Sequence, residues 1–99
     1  MTREQMKART KAYANRGVKL CAALPEGWVA RTLGRQLLRS GTSVGANYRA
    51  VCRAKSTADF ISKLRIVEEE CDESLFWMEL LVENDFAFPP DTEIGFGER

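Results

Sequence analysis

Residues 33–49 read Leu33-Gly-Arg-Gln-Leu-Leu-Arg-Ser-Gly-Thr-Ser-Val-Gly-Ala-Asn-Tyr-Arg49, and the way this stretch divides sets the number of helices in the chain. Its first part continues a stripe of Val29, Leu33, Gln36, Leu37 and Ser40, which predicts a helix from about Trp28 to Ser40. Arg31, Arg35 and Arg39 recur every four residues on the other side of that helix. The segment Ser40-Gly-Thr-Ser43 then breaks the pattern. Ser43 suits an N-cap, because its hydroxyl can accept a hydrogen bond from the free amides of a following turn. A further helix of about three turns is expected after it, with Val44, Tyr48 and Val51 inward and Arg49 and Arg53 projecting from the far side.

Outward from this stretch the helical pattern continues in both directions. Met6, Thr10, Tyr13, Gly17, Leu20 and Leu24 fall on one face of a first helix, which Pro25 ends because its ring cannot continue the hydrogen-bond ladder. Downstream, Ser56 or Thr57 caps a long helix whose core stripe is Phe60, Leu64, Val67, Cys71, Ser74, Leu75, Met78 and Val82. Ile66, Phe76, Trp77 and Leu80 lie on its other faces, beyond the reach of one bundle core, so the tail or another subunit is expected to cover them. After Asn84 the periodicity stops, yet Phe86, Phe88, Ile94 and Phe96 follow, and at least the first half of this tail is expected to pack on a helix. Four helices joined by short turns imply an all-α, antiparallel up-and-down four-helix bundle over residues 1–85. An extended, non-helical C-terminal tail over 86–99 completes the expectation.

Charge is divided along the chain. Up to Arg65 there are 14 Lys/Arg against 3 Asp/Glu, a balance of 14 − 3 = +11, whereas from Ile66 onward the balance is 1 − 11 = −10. Such a split suggests either a nucleic-acid partner or one half of the protein holding the other. The length of 99 residues fits one domain. No apolar run approaches the ~18–20 residues that span a bilayer, and no apolar segment follows the basic N-terminus, so a cytoplasmic protein is expected. Cys21, Cys52 and Cys71 are odd in number and widely spaced, and read as buried free thiols.

Catalysis has little to work with. The chain has no histidine, the commonest general base and metal ligand. Glu68-Glu69-Glu70-Cys71-Asp72-Glu73 supplies carboxylates without the histidines that carboxylate-bridged bundles use, and a metal enzyme built on Glu69 and Glu73 ranks far behind other readings. Gly41 and Gly45 resemble a phosphate loop only loosely. A non-enzymatic protein without a cofactor is the expectation. The arginines carry more: Arg31, Arg35, Arg49, Arg53 and Lys55 lie on outward faces of neighbouring helices, and guanidinium groups about 6 Å apart suit a phosphate backbone. Tyr13 and Trp28 are able to stack on bases, though each is expected to fill core or turn space. The competing use is structural, with basic and acidic faces pairing between subunits. Glu69 and Glu73 sit opposite the core stripe of the last helix, which favours pairing across a subunit boundary.

The segment 33–49, followed by Ala58-Asp-Phe-Ile-Ser-Lys-Leu-Arg-Ile-Val-Glu-Glu-Glu-Cys-Asp-Glu-Ser-Leu-Phe-Trp77, resembles a family of four-helix-bundle proteins encoded in intervening sequences of bacterial 23S ribosomal RNA genes. That family is related to the accessory variability proteins of diversity-generating retroelements. The resemblance covers about residues 5–84 and rests on Gln36 and Arg39, then Ser43 and Asn47, then the aromatic-led long helix with Glu69 and Glu73. Gly45 stands where the family commonly has proline, and Ala50 where a glutamate is usual. The resemblance implies a barrel-like homopentamer and, for the retroelement relatives, a basic surface binding RNA or DNA and a reverse transcriptase. Around the helix junction it places Gln36, Arg39, Ser43 and Asn47, whose spacing suits a buried structural hydrogen-bond cluster more than a ligand site.

Overall fold

The computed structural model describes residues 1–88, which form three α-helices. They are α1 (Arg3–Ala22), α2 (Trp28–Val51) and α3 (Thr57–Glu83). The architecture is all-α, but the expected four-helix bundle is not formed by these residues, because the break at 40–43 does not occur. The hydroxyls there bond backward within one helix. Ser40 Oγ donates to the Gln36 carbonyl at 2.7 Å, Thr42 Oγ to Leu38 at 2.6 Å and Ser43 Oγ to Arg39 at 2.7 Å. Each hydroxyl joins the helix as a donor to the carbonyl four residues back, instead of accepting the amide of a new one. Ser43 therefore caps nothing, and Gly45 sits inside a helix instead of near the start of one.

Packing explains why the small-residue stretch stays helical. Ala30, Leu37, Val44 and Val51 recur every seven residues through it, and all four are buried. A break at 40–43 would throw Val44 and Val51 out of phase with Leu37, forfeiting roughly 1.5–3 kcal/mol for each large apolar side chain exposed. Val44 and Val51 join Val67 of α3 in a core cluster to which Tyr13, Tyr48, Leu64 and Cys71 add their half-buried side chains. Met78 and Leu81 bury the C-terminal half of α3. Leu81, fully buried, lies outside the expected core stripe, whereas Phe60 and Leu75 within it stay partly exposed.

α2 packs against both α1 and α3, and the outer two do not approach each other's backbones. α1 and the turn after it come close to α2 at two of its glycines. A Cβ at Gly45 would stand 3.2 Å from the Thr10 carbonyl oxygen, and one at Gly34 would stand 2.7 Å from a Leu24 methyl. The outer helices are joined through the long side chain of Tyr13. Ser74 Oγ donates to the Cys71 carbonyl at 2.7 Å, so the Tyr13 hydroxyl, 2.5 Å away, donates to Ser74. Burial pushes the Tyr13 phenol above its ordinary value and keeps it a donor.

The helix ends follow known capping chemistry. Thr2 and Gln5 form a reciprocal capping box, and Ser56 Oγ accepts the Asp59 amide at 3.1 Å. Gly27 opens α2 at φ 132°, a conformation a side chain would resist, and leaves that end without a side-chain cap. α3 closes in a Schellman motif: the Phe86 amide donates to Leu81, the Asp85 amide to Val82, and Asp85 takes φ 64°. Of the expected tail, Phe86 is half-buried against this cap and Phe88 is 94% exposed, so packing stops there among the described residues. Ile94 and Phe96 lie outside the described residues.

The continuity of α2 has a direct test. A Cβ at Gly41 meets nothing within 4 Å, so Gly41→Ala is expected to raise stability by roughly 0.5–1 kcal/mol as an interior helix substitution. Gly45→Val, pressed on the α1 backbone, is expected to cost roughly 1–3 kcal/mol. Urea denaturation of the two variants checks both signs; a loss at Gly41 would restore the break.

Candidate nucleic-acid interface

α2 carries Arg31, Arg35, Arg39 and Arg49, and no acidic residue. At about 100° of rotation per residue, Arg31, Arg35 and Arg49 fall within about 40° of one another on the side away from the buried stripe. Arg53 follows in the turn, where its amide still donates to Ala50 at 3.0 Å and prolongs the winding. All four side chains are exposed, and none forms an ion pair with a described residue. Because α2 is unbroken, these arginines belong to one straight face; two helices meeting at 40–43 would have splayed them. Lys55 lies in the α2–α3 turn, exposed, with its amide donating to Asp59 at 3.0 Å.

Trp28 departs from its expected place. It is 71% exposed at the start of α2, on the same outward side as Arg35, instead of filling core or turn space. The reason is local: Gly27 turns the chain straight into the helix, and the inward position of the first turn falls to Ala30. Beside Arg31 and Arg35 a shallow cleft of about 280 Å³ opens between the end of α1 and the start of α2. Cys21, Leu24 and Leu38 supply its apolar wall, and Glu26 is its one acid. Burial pushes the Cys21 thiol up, which keeps it protonated and unreactive near neutral pH.

Arg39 behaves differently from its four neighbours. It lies at the edge of α2 that faces α3, donating to Gln36 Oε1 at 3.2 Å, to Glu70 at 3.3 Å and to Glu73. Trp77 Nε1 donates to the same Glu73 carboxylate at 3.0 Å. Glu73 thus does reach a helix of its own chain, against the expectation that it points away; position 73 lies on the flank of α3, close enough for a long arginine to bridge. Ser43 and Asn47 sit farther along the same edge, where Asn47 Nδ2 donates to the Ser43 carbonyl at 2.9 Å. The four polar residues therefore form a partly exposed ladder, and only Gln36 and Arg39 join through their side chains. The Trp77 hydrogen bond, with Arg39 beside it, holds the Glu73 carboxyl below its usual range.

The acidic helix also leaves apolar groups in water. Ile61, Ile66, Leu75 and Phe76 of α3 are exposed, whereas Trp77 and Leu80 are half-covered. Phe76 stacks edge-on against Trp77, with ring centroids 5.1 Å apart. Among the described residues no group of three or more His, Cys, Asp and Glu is placed to hold a metal ion. No described helix is long and apolar enough to cross a membrane.

Taken together these features define an all-helical protein whose central helix presents a bare basic face and whose last helix mixes acids with exposed apolar groups. The family model for 23S rRNA-intervening sequence proteins matches residues 4–93, and the chain belongs to that family. It is similar to a crystal structure from Bacteroides thetaiotaomicron VPI-5482, described as a protein of unknown function from the S23 ribosomal protein family. The two are 39% identical with a TM-score of 0.75, over 82% of this chain and 75% of that one. No protein of curated function matches the chain.

The Arg39–Glu73–Trp77 junction predicts a pH dependence. A carboxyl whose folded value is depressed contributes stability in full above its ordinary value of 4.5, and loses it as pH falls through the folded value. Glu73→Gln, which keeps an acceptor for Trp77, is expected to lower the urea midpoint at pH 7. The gap to the parent should close on acidification; a gap constant with pH would assign it to shape and not charge.

Proposed function

We propose that the protein is a non-enzymatic nucleic-acid-binding module of the cytoplasm, which grips the phosphate backbone of RNA or DNA through Arg31, Arg35, Arg49 and Arg53, with Lys55 beside them. The observation that carries this reading is the bare arginine face of α2, which has no acid of its own and no ion-pair partner among the described residues. Exposed guanidinium groups one turn apart repel one another by only roughly 0.2–0.5 kcal/mol per pair, and phosphates accept their forked donors well. Trp28, exposed beside the first pair, supplies a surface on which a base can stack. Each phosphate neutralised releases counterions, so four contacts give a slope of log affinity against log salt of about −3 to −4. The paired charge reversal Arg31→Glu with Arg35→Glu should abolish binding to a labelled RNA or DNA in fluorescence anisotropy at low salt. Unchanged affinity would sink the proposal.

A second reading has its own support. The exposed Ile66 and Phe76 lie among acids of α3 that have no ion-pair partner among the described residues, the composition of a surface that meets another subunit. In this reading the protein is a homo-oligomeric scaffold whose basic and acidic faces pair between copies. A homopentamer, and a reverse transcriptase as a protein partner, are what the family resemblance adds to it. Both readings draw on the arginine face: as a pure scaffold the protein binds no nucleic acid, and the two coexist only through arginines that a neighbour's acids leave unpaired. Sedimentation velocity separates them. Phe76→Glu is expected to reduce the sedimentation coefficient of an assembled protein to that of a single chain, and a parent that already sediments as one chain would exclude the scaffold.

A further inference from the structure

The spacing along α2 says which form of nucleic acid the face suits. Arg31 and Arg49 are eighteen residues apart on one unbroken helix, a separation of about 27 Å at 1.5 Å per residue. Arg35 stands one turn inward from Arg31, and Arg53 one turn beyond Arg49, so the charge forms two pairs and not a continuous stripe. Between the pairs the same side of the helix carries Leu38, Thr42 and Ala46, which are uncharged. Arg39, at the edge of that middle, is already held by Glu70 and Glu73 of α3, and no aromatic ring lies there.

We infer that α2 lies lengthwise along a nucleic-acid duplex, each arginine pair holding phosphates on one side of a groove and the small neutral middle passing over the groove itself. This inference rests on the proposed function and narrows its ligand to a double strand. A single strand threading along a protein is held by closely spaced cations and a succession of stacking rings. Here the middle of the face offers neither. A duplex instead presents phosphate rows separated by an uncharged groove, and those rows recur along its axis within a turn, ~34 Å in B-DNA and shorter in the A-form. A span of about 27 Å, extended by flexible arginine side chains, falls within that repeat. Thr42 and Ala46 keep the middle low enough for both ends to touch down together.

Length is the discriminating variable. A stem of 6 base pairs covers about 20 Å at 3.4 Å per pair and can engage one arginine pair; a stem of 16 covers both. Fluorescence anisotropy is measured with RNA hairpins of 6 and 16 base pairs sharing one loop, the matching DNA hairpins, and 16-nucleotide single strands. For the parent protein, the longer stem of at least one nucleic acid is expected to bind more than tenfold tighter than its short stem and its single strand. Its salt slope should be about twice that of the short stem, near −3.6 against −1.8. Arg49→Ala with Arg53→Ala should erase the length dependence and halve the slope on the long stem, while binding to the short stem stays within about twofold. Equal affinity for both stem lengths, or a preference for single strands, would overturn the duplex geometry and leave the arginine face as a general phosphate binder. Failure of every ligand to bind in a salt-sensitive way would overturn the proposed function itself.

Discussion

Everything in this fold depends on the hydrogen-bond ladder of α2 running unbroken through Ser40, Gly41, Thr42 and Ser43. That ladder keeps Ala30, Leu37, Val44 and Val51 in phase on one buried face, and the core is assembled around them. It places Gly34 and Gly45 where Leu24 and the α1 backbone at Thr10 come close. It also sets four exposed arginines on one straight edge. A hinge at this point would have cost the core its register and the surface its alignment together. The hydroxyls make continuity inexpensive, since each finds a carbonyl four residues back and none is left to compete for a new helix start.

Much of this was legible in the residues. Both outer helices and the turn at Pro25 follow from apolar periodicity and capping chemistry, and the Ser56 cap is where the pattern puts it. At 40–43 local preference and register point in opposite directions, and register prevails. Serine, threonine and glycine favour turns when considered alone, but the seven-residue spacing from Ala30 to Val51 crosses them without a slip, and tertiary burial outweighs propensity. That spacing was the available signal. Trp28 was hidden for a related reason: large aromatics are usually covered, and nothing local in the sequence shows that Ala30 takes the inward place. The reach of Arg39 to Glu73 depends on the distance between two helix flanks, which periodicity does not encode.

The division of charge along the sequence becomes a division among helices. Arg39 and its two glutamates neutralise one another at the α2–α3 junction, so the opposing halves do meet, but through one arginine of α2 alone among the described residues. The remaining basic face and the remaining acids lie on different helices. Each is therefore available to a partner without competing for the other, and the exposed aromatic groups divide likewise, Trp28 with the arginines and Phe76 with the acids. Membership of a family whose structural relative is itself of unknown function makes these surfaces the most specific guide to activity that the chain offers.

The arrangement in which α1 and α3 each lie against α2, and are joined to one another by the Tyr13–Ser74 hydrogen bond, bears on how the molecule comes into being. Helix pairing is confined to neighbours in sequence, so the loops that must close are short and the entropy lost before each contact forms is small. Such low contact order belongs to chains that fold in microseconds to milliseconds. Assembly would proceed as two hairpins sharing a middle strut, and a nascent chain could complete the first before the residues of the second had been made.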